Sequence, residues 1–191
     1  MAFNIYLCGV GGQGIGILAA ALARAAERAG LAVLACDTHG LAQRGGVVSS
    51  HIRLGEDALT PLVPEGGADL VLGLERLEAL RGAAKFLKKG GRAVYYDTAY
   101  QPVAVRMGSA RYPEAAEVEA EVRTLGGEVS PVALKDLPDP RMQNAALLGR
   151  VAALGAVPGL PAEEIEAALR ELVSPAVLEA NLKVFAAAGA K

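Results

Sequence analysis

The sequence predicts an α/β fold: three layers built on a mostly parallel sheet, with a helical C-terminal segment. Three observations lead there. Short apolar runs alternate with amphipathic stretches as far as Leu134, a glycine loop joins the first run directly to a helix-like stretch, and the pattern beyond Pro138-Asp139-Pro140 is helical.

Each element follows from local pattern. Ile5 to Cys8 is an apolar run that stops at Gly9, as a buried strand entering a tight turn would. Ile15 to Ala29 carries Ile, Leu and Ala at helical spacing, and Gly30 supplies a C-terminal stop. Leu31 to Cys36 reads as a second buried strand closing at Asp37, so that strand, loop, helix and strand form one right-handed crossover unit. Val47 to Leu54 is a third strand, polar on one side, ending at the turn signal Gly55-Glu56-Asp57. Asp69 to Leu74 reads as a strand, Glu75 to Lys88 as an amphipathic helix, and Arg92 to Asp97 as the next strand, with Gly90-Gly91 punctuating between the last two. Val103 to Met107 is expected as a short strand, Glu114 to Leu125 as a charged surface helix, and Val129 to Leu134 as the last strand. Three helices complete the chain: Met142 to Leu154, Ala162 to Leu172, and Pro175 to Ala188. Pro161 suits a first helical turn, where a missing N–H costs least. With no internal repeat and no long linker, residues 1–191 are expected to form one Rossmann-like domain.

Composition bounds the function. The chain is 52% hydrophobic and 21% charged with a net charge of −2, which argues against a nucleic-acid binder. It lacks a long charge-free apolar run and begins Met1-Ala2-Phe3-Asn4 without a signal-peptide profile, so the expectation is a cytoplasmic protein that does not span a membrane. The only cysteines, Cys8 and Cys36, are expected as small buried apolar residues; without a CxxC pair they cannot ligate an iron–sulfur cluster by themselves. His39 and His51 lack metal-binding spacing, and Ser49 and Ser50 lack an adjacent base, so neither a metal site nor a catalytic residue is predicted.

Two loops carry the functional signal. Gly9-Val10-Gly11-Gly12-Gln13-Gly14 fits GxGxxG between strand and helix, where main-chain N–H groups and the positive end of a helix face an anion. Asp37 closes the next strand roughly where a ribose-binding acid is expected, about 20 residues further on. Gly9, Gly11, Gly12, Gln13, Gly14 and Asp37 are thus the cofactor-binding candidates, with close helix–sheet packing as the competing reading of the glycines. The second loop, His39-Gly40-Leu41-Ala42-Gln43-Arg44-Gly45-Gly46, sets a His, a Gln and an Arg among three glycines. Arg44 brings a permanent cation with a planar fork of donors suited to carboxylate or phosphate. Gln43 would hydrogen-bond across the same surface, and Gly45 and Gly46 would permit close approach. An unperturbed imidazole titrates at about 6.5, which makes His39 a candidate proton donor, but Asp37 is its only nearby acid in sequence, which favours a structural role. His51, inside a strand, reads as a core or sheet-face histidine.

Together, these two loops with Ser50-His51-Ile52-Arg53 and Asn144 ahead of Leu147-Leu148-Gly149 resemble the small gamma-type component of 2-oxoacid:ferredoxin oxidoreductases, over essentially the whole chain. Within that group the indolepyruvate type is most similar. The resemblance implies a subunit that works only in a complex. A larger partner would carry thiamine diphosphate and the iron–sulfur clusters, decarboxylate a 2-oxoacid, pass electrons to ferredoxin and release acyl-CoA, with coenzyme A as co-substrate. It also implies that His39, Gln43, Arg44, Gly45 and Gly46 face substrate, coenzyme A or the partner. Two alternatives remain open on sequence: a self-sufficient NAD(P)-dependent dehydrogenase, and a non-catalytic interaction module with a vestigial nucleotide fold.

Overall fold

The computed structural model describes residues 1–39 and 46–190. Six strands form one sheet: β1 (Phe3–Val10), β2 (Val33–His39), β3 (Val47–Leu54), β4 (Ala68–Gly73), β5 (Leu87–Tyr96) and β6 (Glu128–Val132), in the order β2-β3-β1-β4-β5-β6. All run parallel except β3, which is antiparallel to both its neighbours. The mostly parallel three-layer sandwich is therefore present, but the first crossover differs from the expectation. β1 and β2 point the same way without touching, because β3 turns back and lies between them. For the same reason β2 is not a buried strand. It is a sheet edge with Leu34 exposed and Cys36 only half-buried, since a wholly apolar run cannot signal how many neighbours it will have.

Side chains alternate across the pleat and separate the two faces. Ile5, Leu7, Ile52, Leu54, Leu70, Leu72 and Val94 project into the larger core, covered by α1 (Ile15–Arg28), α5 (Gln143–Ala153), α6 (Ala162–Leu172) and α7 (Pro175–Gly189). Tyr6, Cys8, Val71 and Ala93 face the smaller core under α2 (Arg76–Phe86), and Tyr95 packs with Val118 of α4 (Ala115–Thr124). Cys8 is thus the small buried residue expected of it.

Local rules account for the helices. In α1, Ile15, Leu18, Ala19, Leu22, Ala25 and Ala26 repeat at helical spacing and are buried. The helix stops where Gly30 adopts φ +74° and the amides of Gly30 and Leu31 donate back to the carbonyls of Glu27 and Ala26, a Schellman closure. Two expectations change at connections. Val103 to Met107 is no strand but the four-residue helix α3 (Val103–Arg106), because Pro102 holds the turn that starts it and no strand edge lies beside it. Gly90-Gly91 does not separate α2 from β5; β5 begins at Leu87, directly after the helix, and the glycines lie inside the strand at a shift of register against β4.

Among the described glycines, the one with least room for a side chain lies in the helical segment. A Cβ added to Gly149 of α5 would stand 2.0 Å from the carbonyl oxygen of Phe185 in α7. Backbone cannot swing aside as a flexible side chain can. Gly149→Ala should therefore destabilise the protein by about 1–3 kcal/mol, read as a lower midpoint in urea unfolding with an unchanged slope.

Candidate functional site

The carboxyl ends of β1, β2, β4, β5 and β6 share one edge of the sheet, where ligands enter open α/β folds. The first glycine loop sits there. Gly12 and Gly14 hold φ values of +102° and +88°, which L side chains rarely adopt, and among the described residues no side chain caps the start of α1. A Cβ on Gly14 would also come within 2.6 Å of the Asn144 side-chain nitrogen, so packing and loop shape both demand glycine. The uncapped helix start keeps its positive partial charge available to an anion.

Gln13 has a different task from the one expected. Its side chain is buried; Oε1 accepts from the Val10 amide at 2.7 Å, while Nε2 donates to the Leu74 carbonyl at 2.7 Å and to Gln143 Oε1 at 3.2 Å. Both amide hydrogens are consumed inside the fold, so the Gln13 side chain is an internal tie between β1, β4 and α5 and does not reach out to a ligand. Asn144 joins the same cluster by donating to the Gln13 carbonyl at 3.3 Å. Asp37 is also placed differently. It accepts from Ser50 Oγ on β3, and β3 separates it from β1 by two strand spacings of about 4.8 Å each. The side-by-side arrangement of glycine loop and ribose acid is not formed.

The second loop leaves from His39, the last residue of β2, and returns at Gly46 beside Val47. Gln43, Arg44 and Gly45, with Gly40 to Ala42, lie outside the described residues. The return point is well defined: the Gly11 amide donates to the Gly46 carbonyl at 2.8 Å. Insertion of β3 next to β1 thereby brings the two loops, separated by some thirty residues of sequence, into direct contact.

Beside that contact lies a cleft of about 790 Å³. Val10, Val47, Tyr100 and Val103 give it apolar walls, and Glu78, Arg81 and Arg106 give it charge. Sequence reading missed the acids that organise it. Glu75 is buried, and its carboxylate accepts from the amides of Glu78 at 2.8 Å and Tyr100 at 3.2 Å and from the Tyr112 hydroxyl. Burial raises the Glu75 carboxyl above its usual range, with the Glu78 carboxylate adding to the rise and the amide hydrogen bonds opposing it. Burial likewise raises Glu78, and Arg81, bonded at 2.8 Å, opposes it. One signal was available: Glu75 follows directly on the end of a central strand, at the edge where this architecture places its sites.

His51 lies away from this edge, as a core histidine. Its Nδ1 accepts from the Val63 amide at 3.1 Å, and its ring meets Tyr6 and Phe86 edge-on at centroid distances of 5.1 and 5.6 Å. Burial, and secondarily the Lys85 ammonium, lower its pKa from 6.5. A depressed histidine stabilises the fold above its unfolded pKa and loses that contribution as pH falls from about 6.5 through the folded value. Glu75 acts with the opposite sign: its contribution is complete below about 4.5 and declines as pH rises through its raised value. His51→Phe should therefore lower stability at pH 8, where the Val63 amide is left unpaired, yet lose the histidine's share of the decline on acidification. Denaturation midpoints of both proteins between pH 8 and 5 check this, since the Glu75 term cancels between them.

Comparison with known proteins adds findings of three kinds. The sequence model of the family described as pyruvate ferredoxin/flavodoxin oxidoreductase matches residues 4–190. The chain is 40% identical over 187 residues to the indolepyruvate oxidoreductase subunit IorB of Archaeoglobus fulgidus, covering 96% of this chain and 92% of that protein. It is 38% identical over 190 residues to the protein of the same name from Thermococcus kodakarensis, with coverage of 96% and 92%. Among solved structures, it superposes on a keto/oxoacid ferredoxin oxidoreductase gamma subunit from Geobacter sulfurreducens with a TM-score of 0.65 at 21% identity, covering 98% and 96%. A 2-oxoglutarate:ferredoxin oxidoreductase from Magnetococcus marinus gives a TM-score of 0.68 at 22% identity, covering 99% of this chain and 30% of the longer one. The structural likenesses bear on the fold.

Proposed function

Because the chain belongs to the pyruvate ferredoxin/flavodoxin oxidoreductase family, we propose that it is the small gamma-type subunit of an indolepyruvate-type 2-oxoacid:ferredoxin oxidoreductase. Residues 1–191 act as one domain of that cytoplasmic enzyme. The larger subunit holds thiamine diphosphate and the iron–sulfur clusters, decarboxylates the 2-oxoacid and sends electrons to ferredoxin; coenzyme A takes the acyl group. The chemistry of this chain fits that division of labour. Of its two cysteines, Cys8 is buried with its thiol against the carbonyls of Leu72 and Glu78 and its pKa driven upward chiefly by burial, which leaves no thiolate set for a cluster.

The observation that carries the reading is the Gly11–Gly46 hydrogen bond. It sets the start of α1 next to Gly46, the residue from which β3 departs, at one end of the sheet beside the cleft. In this reading the glycine loop from Gly9 to Gly14 receives a phosphate of coenzyme A through the amides it leaves free among the described residues, chiefly at Gly12 and Gly14, while the Gly11 amide is held by the Gly46 carbonyl. Arg44, with Gln43 and His39, meets a second anionic group, a coenzyme A phosphate or the 2-oxoacid carboxylate, and Gly45 and Gly46 allow the large subunit to approach. The dehydrogenase alternative loses ground, since it depends on an acid beside the glycine loop and Asp37 is bonded to Ser50 two strands away.

The isolated chain should show no oxidoreductase turnover and no tight binding of NADH by fluorescence titration. In the complex reconstituted with its large subunit, Arg44→Ala should leave assembly intact and lower coenzyme A-dependent turnover about 10- to 100-fold, as expected for losing one charge-assisted anion contact. Unaided turnover by the chain, or full activity of the Arg44→Ala complex, would contradict the reading.

A further inference from the structure

Residues 97–114 leave the sheet after β5, project past the cleft and return to start α4. Their helix, α3, buries none of its residues. An excursion with so little packing of its own should be loosely held, yet two adjacent residues at the start of α2 grip both its legs. Glu75 accepts from the Tyr100 amide on the outgoing leg and from the Tyr112 hydroxyl on the returning one. Arg76 donates from its backbone to the Thr98 carbonyl at 3.1 Å, and from its guanidinium to Asp97 at 2.6 Å and to the Pro113 carbonyl at 3.2 Å. Inside the excursion, the Met107 amide donates to the Val103 carbonyl and Ser109 Oγ to the Ala104 carbonyl, both at 2.9 Å.

What this strap presents is unusual for a solvated surface. Val103 and Met107, four residues apart and so on one side of the turn, are 58% and 78% exposed, and Val47 is half exposed on the opposite wall of the cleft. Arg106, beside them, makes no ion pair with a described residue, and Arg81 lies on the same cleft. An apolar pair held in a fixed position and bordered by guanidinium groups matches the centre and rim of a protein interface.

We propose that the strap, through Val103, Met107 and Arg106, is a docking surface for the large subunit, which offers an apolar hollow flanked by carboxylates. This rests on the functional reading above. Two facts favour that occupant. The strap and Val47 adjoin Gly46, so the surface is continuous with the edge at which the two loops meet. In addition, the region of the Magnetococcus marinus enzyme that this fold matches is 30% of its chain, so there the fold belongs to a larger polypeptide. Glu75 and Arg76 are positioning residues: they hold the strap and do not touch the partner.

The test compares association of the full chain with its cognate large subunit, by titration calorimetry, for wild type, Val103→Glu/Met107→Glu, and Leu59→Glu. Leu59 is 90% exposed at the opposite end of the sheet and serves as the control. The double variant should fold normally, with an unchanged melting midpoint because these side chains are unburied, and bind about 100-fold more weakly. Leu59→Glu should bind within about threefold of wild type. Amide hydrogen exchange should slow across the strap in the wild-type complex. Equal affinity of wild type and double variant, equal weakening by the control, or a strap that stays unprotected in the complex would overturn the assignment of this surface and leave the functional reading standing. Failure of the wild-type chain to bind the large subunit would overturn both.

Discussion

The ladder that β3 makes with β1 runs the full length of both strands, from Phe3 opposite Leu54 to Val10 opposite Val47, and on its other side β3 pairs with β2 from Val33 to His39. Because it runs against the rest of the sheet, its first residue lies at the edge where the parallel strands end. Gly46, the end of the connection between β2 and β3, therefore lies beside the glycine loop after β1 and accepts from Gly11. A parallel strand in the same place would have carried this connection to the opposite end. The cleft, its Val47 wall and the meeting of the two loops all descend from that reversal.

Buried polar groups then hold the edge in shape. Gln13 joins the ends of β1 and β4 to the start of α5, and each bond it makes replaces one to water that burial removes. Glu75 does the same for the strap at greater cost, because its carboxylate is desolvated and lies near a second acid. Three hydrogen bonds offset that penalty only while both legs of the strap are in place. The charge and the loop geometry thus depend on each other, which fits a surface that must keep one shape.

The same contrast appears between the two ends of the molecule. At the carboxyl edge, packing yields to uncapped helix, exposed apolar residues and buried acids. Elsewhere the fold is conservatively built: α1 and α6 are joined by the ion pairs of Arg28 with Glu164 and Glu171, at 2.7 and 2.6 Å, and α5 meets α7 at glycine-limited distance. Exposed pairs of this kind contribute little each, so the stable side of the protein rests mainly on its apolar core.

Most of the element list was legible in the sequence, because buried strands and amphipathic helices leave periods that depend only on neighbours along the chain. The β1 run, the spacing in α1, the glycine stop at Gly30 and the three terminal helices are of this kind. The glycine pattern and the Gln43-Arg44-Gly45-Gly46 block also identified the family from local residues alone. Tertiary structure decided the rest. The turn at Pro102, with no strand edge beside it, made Val103 to Met107 a helix on a strap, and strand order put β3 between β1 and β2, which exposed β2 and separated Asp37 from the glycine loop. It also turned Gln13 inward and buried Glu75. None of these is encoded in a local period, since the hydrogen bonds and burial responsible join residues as far apart as Gln13 and Gln143, which only the completed fold brings within 3.2 Å.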